Sequence, residues 1–137
     1  MQIIEVDNIL DIGLSNESDL NENEKLIYAV AYLESVSDME GWDHFFTYSM
    51  KLYPLLCRAL KLASDLSSLS VIRDYEKHLE SLGVDFKAQE IDCFLATATD
   101  EYLSTCPDWR EQFSDLSEQR WVLIARYFQS IGVQLKT

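Results

Sequence analysis

Turn-forming residues are scarce in this chain of 137 residues, which has 4 glycines and 2 prolines and no serine- and glycine-rich linker. Sheet proteins need such residues every few positions, so their scarcity argues for helices. Basic residues are scarce as well. The 11 Lys and Arg stand against 24 Asp and Glu, a net charge of -13. That balance argues against direct binding of nucleic acid, which needs cationic side chains to displace counterions from phosphate. No run approaches the ~18 apolar residues of a membrane span. The opening Met1-Gln2-Ile3-Ile4-Glu5-Val6-Asp7 lacks the basic residues of a signal peptide. The 3 cysteines, Cys57, Cys93 and Cys106, form no CxxC pair and no even-numbered framework. They read as reduced thiols of a cytoplasmic protein. Cys57 and Cys93 are expected in the core, and Cys106, beside Pro107, at the surface.

Motifs of catalysis and cofactor binding are missing too. There is no HExxH, no zinc-spaced Cys/His cluster, no EF-hand loop, no phosphate-cradling glycine loop and no GxSxG elbow. No metal, cofactor or catalytic residue is therefore assigned, and no nucleophile–base–orienter set points to an enzyme.

What the chain does have is helical periodicity, with 47% hydrophobic residues, enough to build a core without staples. The spacing predicts a single all-α domain over residues 1–137, a compact bundle of about six to eight helices. Its acidic segment 1–20 is either packed on the bundle or trailing from it. A first short helix is expected over 3–14, ending near Gly13. Asn21 reads as an N-cap with Glu22 and Glu24 in the first turn behind it, followed by Leu26, Ala29, Val30, Leu33 and Val36 on one face. Trp42, Phe45 and Phe46 stand at i, i+3 and i+4, the spacing of a buried stripe, which leaves Asp43 and His44 facing solvent. Pro54 fits a helix first turn. Ser67 or Ser68 is expected to cap a helix carrying Ile72, Tyr75, Leu79 and Leu82, ended by Gly83. Ile91 to Tyr102 reads as one helix closed by Pro107, followed by a short piece at 109–113 and a last helix over about 117–131. No strand is predicted, although Gly132-Val133-Gln134-Leu135 is ambiguous.

The charge is not evenly distributed along the chain. Residues 1–24 hold seven acids and no base, residues 85–118 nine acids and two bases, and residues 119–137 no acid but Arg120, Arg126 and Lys136. Carboxylates one helical turn apart lie ~5–6 Å from each other, close to the ~3.4 Å spacing of charges along one strand of duplex DNA. An acidic helical face can thus resemble a phosphate ridge, and it can equally serve solubility alone. The candidate partner-contacting residues are Glu17, Asp19, Glu22 and Glu24, then Glu40, Asp43 and His44, and finally Asp100, Glu101, Asp108 and Glu111.

The run Met39-Glu40-Gly41-Trp42-Asp43-His44-Phe45-Phe46-Thr47-Tyr48 is preceded by Glu24-Lys25-Leu26-Ile27-Tyr28-Ala29-Val30 and followed by Ala59-Leu60-Lys61-Leu62-Ala63. Over Asn23 to Ala63 this resembles a bacterial domain family best known for an acidic, all-helical DNA-mimic protein. The family's hallmark has the form N-G-G-F-x-Q-F-F-x-N. Gly41, Phe45 and Phe46 match it, and Trp42 stands for another aromatic. Glu40, His44 and Tyr48 replace its Gly, Gln and Asn. Phe113-Ser114-Asp115-Leu116 and Arg126-Tyr127-Phe128 look like its later segments. The resemblance implies an intracellular helical protein that occupies the basic surface of a DNA-binding protein, with a homodimer among its forms.

Three readings can be tested, beside a non-enzymatic, purely structural role such as a homo-oligomeric scaffold, which has no sequence signature. One is a protein-binding DNA mimic. The second is an immunity or antitoxin-like protein that neutralises a basic toxin, which a toxin gene beside this one would favour. The third is an enzyme that uses Asp43, His44 and nearby carboxylates, and it requires His44 to reach a carboxylate at the floor of an aromatic-walled cleft.

Overall fold

The computed structural model describes residues 2–137; Met1, part of the acidic N-terminal segment, lies outside them. The chain begins with a short strand, β1 (Gln2–Glu5), which runs into helix α1 (Val6–Ser15). A single 3-10 turn leads to α2 (Glu22–Met39). Then come α3 (Trp42–Tyr48), α4 (Tyr53–Leu62), α5 (Leu66–Ser81), α6 (Ala88–Ala96), α7 (Asp100–Thr105), α8 (Trp109–Asp115), α9 (Ser117–Ser130) and the closing strand β2 (Val133–Lys136). The architecture is all-α, with one two-stranded parallel ribbon where the two ends of the chain meet, Gln2 opposite Val133 and Glu5 opposite Lys136.

The longest helix, α2, is also the central one. Asn21 caps it as its sequence predicts. The Asn21 side chain accepts from the Glu24 N–H, and the Glu24 carboxylate accepts from the Asn21 N–H, each at 2.9 Å. Ile27, Tyr28 and Ala31 are buried along with the predicted stripe, so α2 is wrapped by neighbours on most sides. It packs against α1, α3, α4 and α8. One contiguous core runs from Ile4 to Val133, and the acidic N-terminal segment is anchored in it through Ile4, Val6 and Ile9.

Several expectations are corrected. The first helix does not end at Gly13. It continues to Ser15, and Gly13 is there because a Cβ would sit 2.3 Å from the Tyr28 ring. The ring of α2 occupies the space that a side chain of α1 would need. The segment before α1 is a strand, which finds its partner only at the other end of the chain. The helix expected over Ile91–Tyr102 is two helices, because Thr99 caps α7 by accepting from the Tyr102 N–H at 3.1 Å. With that split the chain has nine α-helices among the described residues. The cap of α5 is Asp65, not Ser67 or Ser68. Its buried carboxylate accepts from both the N–H and the hydroxyl of Ser68. Gly83 ends α5 as expected, in a left-handed conformation at φ +78°. The Val84 N–H returns to the Leu79 carbonyl and the Gly83 N–H to the Glu80 carbonyl, the double bond of a Schellman ending. Leu82, expected on the buried stripe of that helix, is 46% exposed, because the chain turns away at this ending.

The thiols also fall differently. Cys93 is exposed, since α6 buries Ile91 and turns the adjacent positions outward. Cys57 and Cys106 are half-buried against the core, and all three are free.

Candidate functional site

Arg120 is one of three cationic side chains in the C-terminal segment 119–137. It is completely buried. It stacks over the Phe113 ring at 3.6 Å. Its Nε donates to Glu34 at 2.9 Å, its Nη2 donates to the same oxygen, and its Nη1 donates to the Ser68 hydroxyl at 3.1 Å and to the Phe113 carbonyl at 3.0 Å. Burial pulls the guanidinium pKa below its ordinary value, and Glu34 opposes that shift. Glu34 also accepts from Ser117 at 2.9 Å and from the Trp121 indole at 2.8 Å. One buried cation thus ties α2, α5, α8 and α9 together.

This network fixes α8 beside the C-terminal end of α2, and the exposed carboxylates of the two helices gather there. Asp38, Asp108, Glu111 and Asp115 surround a shallow hollow of about 290 Å3 with Arg110 among them. Asp108, Glu111 and Asp115 stand at i, i+3 and i+7 and so share one face of α8. Asp108 also caps that helix, accepting from the Glu111 N–H at 3.0 Å. Of the 24 acids of the chain, only Glu17, Asp38 and Glu34 pair with Lys or Arg among the described residues, through Lys51, Arg110 and Arg120. The first two pairs are exposed and contribute at most about 1 kcal/mol each.

The predicted contact residues do not all converge. Asp108 and Glu111 belong to this tract, joined by Asp38 and Asp115, which sequence reasoning missed. Glu17, Asp19, Glu22 and Glu24 lie at the opposite end of α2, roughly 25 Å away along its axis. Asp100 and Glu101 occupy the exposed first turn of α7, and Glu40 the exposed C-cap of α2.

Next to the tract, and sharing Asp108 and Arg110 with it, is a cleft of about 460 Å3 between α3, α6, α7 and α8. Its walls include Trp42, Trp109, Tyr102, Leu79 and Leu95. Here Asp43 departs from expectation. It is half-buried and turned into the protein, accepting a hydrogen bond from the Tyr75 hydroxyl at 2.5 Å. Burial pushes the Asp43 carboxyl above the usual carboxylate range, and the bond from Tyr75 partly offsets this. Burial, together with the Asp43 charge, drives the Tyr75 phenol far above its own range. Asp43 faces inward, where Tyr75, buried on α5, donates its phenol hydrogen to it.

His44 is half-buried as well, with its ring tilted 43° against Tyr48 at a centroid distance of 4.6 Å, and its Nδ1 has no hydrogen-bond partner among the described residues. It does not line the cleft. The histidine next to the cleft is His78, whose Nε2 lies 3.0 Å from the Tyr102 hydroxyl and whose ring packs on Trp109. The His44–carboxylate pairing that the enzymatic reading requires is not formed.

Among the described residues no group of three or more His, Cys, Asp or Glu side chains is placed to hold a metal ion. No helix among them is long and apolar enough to cross a membrane. No family model, curated protein or solved structure matches the chain.

Proposed function

We propose that this chain is an acidic protein-binding module that presents a rigid anionic tract to a basic partner, with the DNA-contacting surface of a DNA-binding protein as the surface that best complements it. The observation that carries this reading is the α8 tract. It brings four carboxylates from two helices together beside one arginine, on a molecule whose other surplus acids are almost all without a cationic neighbour. An acid surplus meant only for solubility needs no such gathering. Thirteen excess negative charges repel one another and favour any partner that neutralises them. The resemblance over Asn23 to Ala63 supports the same reading, as does a reducing cytoplasm, the setting that three free cysteines suit.

The test is capture of partners from cell extract on the immobilised chain. Elution is followed from about 0.1 M to about 1 M salt, which shortens the screening length from ~10 Å to ~3 Å. The expected partners are basic DNA-binding proteins, released by salt and by competing duplex DNA. In the variant Asp108→Asn, Glu111→Gln, Asp115→Asn the salt dependence flattens, whereas the fold persists because Asn still caps α8. Neutral or acidic partners, or a variant that elutes as the parent does, would refute the proposal.

A further inference from the structure

We infer that the cleft between α3, α6, α7 and α8 receives an alkylammonium group, the side chain of a lysine on the basic partner. This rests on the reading of the chain as an anionic binding module. The cleft opens beside the anionic tract and shares Asp108 with it, so a protein held on the tract passes over its mouth. Its volume of about 460 Å3 lies within the ~300–1,000 Å3 of sites that enclose a small organic group. Trp42, Trp109 and Tyr102 supply ring surfaces of the kind that attract cations.

Besides Asp108, which it shares with the tract, the cleft is lined by one further carboxylate, Asp43. Asp43 Oδ1 is taken by the Tyr75 hydroxyl, and among the described residues Oδ2 accepts no hydrogen bond. Asp43 has no cationic partner either, because the one arginine at the cleft, Arg110, leans toward Asp38, with Nε 3.8 Å from Oδ1. A single free oxygen suits an ammonium, which is a compact point charge. It suits a guanidinium less well, because the guanidinium fork is matched by two oxygens. The apolar walls, Leu79 and Leu95 among them, fit the four-carbon stem behind the charge.

Trp42 adds an independent pointer. It lines the cleft at only 6% exposure, and its Nε1–H is buried without an acceptor. Buried donors are ordinarily paired. A bare alkylamine brings no acceptor, whereas a peptide carrying a lysine brings carbonyl oxygens.

The chain contains 3 tryptophans, and their indole N–H signals make the test internal. In the full-length 15N-labelled protein, a short peptide with one lysine is expected to move the Trp42 and Trp109 signals. The Trp121 signal, held by Glu34 outside the cleft, should stay in place. The same peptide with norleucine should bind at least about tenfold more weakly, since the charge-assisted bond is lost. Asp43→Asn, which keeps an acceptor for Tyr75, should weaken the lysine peptide by about tenfold while Trp121 reports an intact fold. Equal binding of the norleucine peptide, undiminished binding to Asp43→Asn, or tighter binding of an arginine peptide would overturn the assignment. So would n-butylammonium binding as tightly as the peptide, which would mark a site for free amines. If these shifts fail while capture of basic proteins stays salt-sensitive, the cleft assignment falls and the tract reading stands. Shifts that occur while the tract variant changes nothing refute the tract reading alone.

Discussion

Replacing Arg120 with methionine tests whether one buried cation holds this fold together. The substitution keeps an unbranched apolar stem and removes the guanidinium over Phe113 with its four hydrogen bonds. Glu34 then loses its only cationic partner among the described residues, and the buried Ser68 hydroxyl and Phe113 carbonyl each lose a donor. Breaking a buried ion pair from one side costs about 3–5 kcal/mol, because the remaining charge is left uncompensated. Glu34 lies at the lower end of that range. It keeps the bonds from Ser117 and Trp121, and its side chain is 22% exposed, so water can partly replace the arginine. We therefore expect a loss of about 3 kcal/mol, or roughly 10 °C in Tm at this chain length. The assay is urea unfolding followed by far-ultraviolet circular dichroism, with the slope checked for constancy. The double variant Arg120→Met, Glu34→Gln removes the stranded charge and should recover at least about 1.5 kcal/mol of the loss. An Arg120→Met protein within about 1 kcal/mol of the parent, or a double variant no more stable than the single, would show that the network does not hold the helices together.

Two further predictions concern the core. Burial raises the Asp43 pKa above its unfolded value, so the folded state favours the protonated acid. Stability from this group is full below the ordinary carboxylate pKa and is lost as pH rises through the raised one. Asp43→Asn, which cannot ionise, should therefore gain in Tm on the parent as pH rises above the ordinary carboxylate value of about 4, and parallel pH profiles for the two proteins would contradict the assigned burial. Gly13→Ala should destabilise by about 1–3 kcal/mol despite the better helix propensity of alanine, because its Cβ would meet the Tyr28 ring at 2.3 Å. A rise in the urea midpoint of that variant would mean that α1 does not pack so closely on α2.

What could be read in the sequence was local. The Asn21–Glu24 box and the stripe of α2 sit within a few residues of each other, as do Trp42, Phe45 and Phe46, and all form as expected. The all-α class followed from the same short-range periodicity. The misses are of two kinds. Some signals were present but outweighed by others. Thr99 followed by Asp100 and Glu101 is a helix start in the middle of an apolar run, and Asp65 three residues before Ser68 is a better cap than the serines. Other features had no local signal. The strand at Gln2–Glu5 finds its partner at Val133–Lys136. Arg120 is swallowed because Glu34, 86 positions earlier, is within reach after folding. Asp43 turns inward toward Tyr75, 32 positions later. At the candidate site, the second acidic block gave Asp108 and Glu111. Asp38 could not be grouped with them, since only packing brings the end of α2 to α8.

The buried network and the exposed tract depend on each other. Four carboxylates at close quarters repel, and a short helix such as α8, with seven residues, has little intrinsic stability with which to resist. Its hold on the protein comes from below. Trp109 and Phe113 are buried, and the Phe113 carbonyl receives Arg120. On the other side of the hollow, Asp38 lies one helical turn beyond Glu34, the residue that the same arginine grips. The two ends of a single guanidinium thus set the spacing between the anionic faces of α2 and α8. Its charge is taken up by Glu34 within the protein, so it leaves the surface that a partner meets anionic. A lysine in its place would keep the charge but could not hold Glu34, Ser68 and the Phe113 carbonyl at once. The geometry of the fork, more than the charge, is what makes this position an arginine.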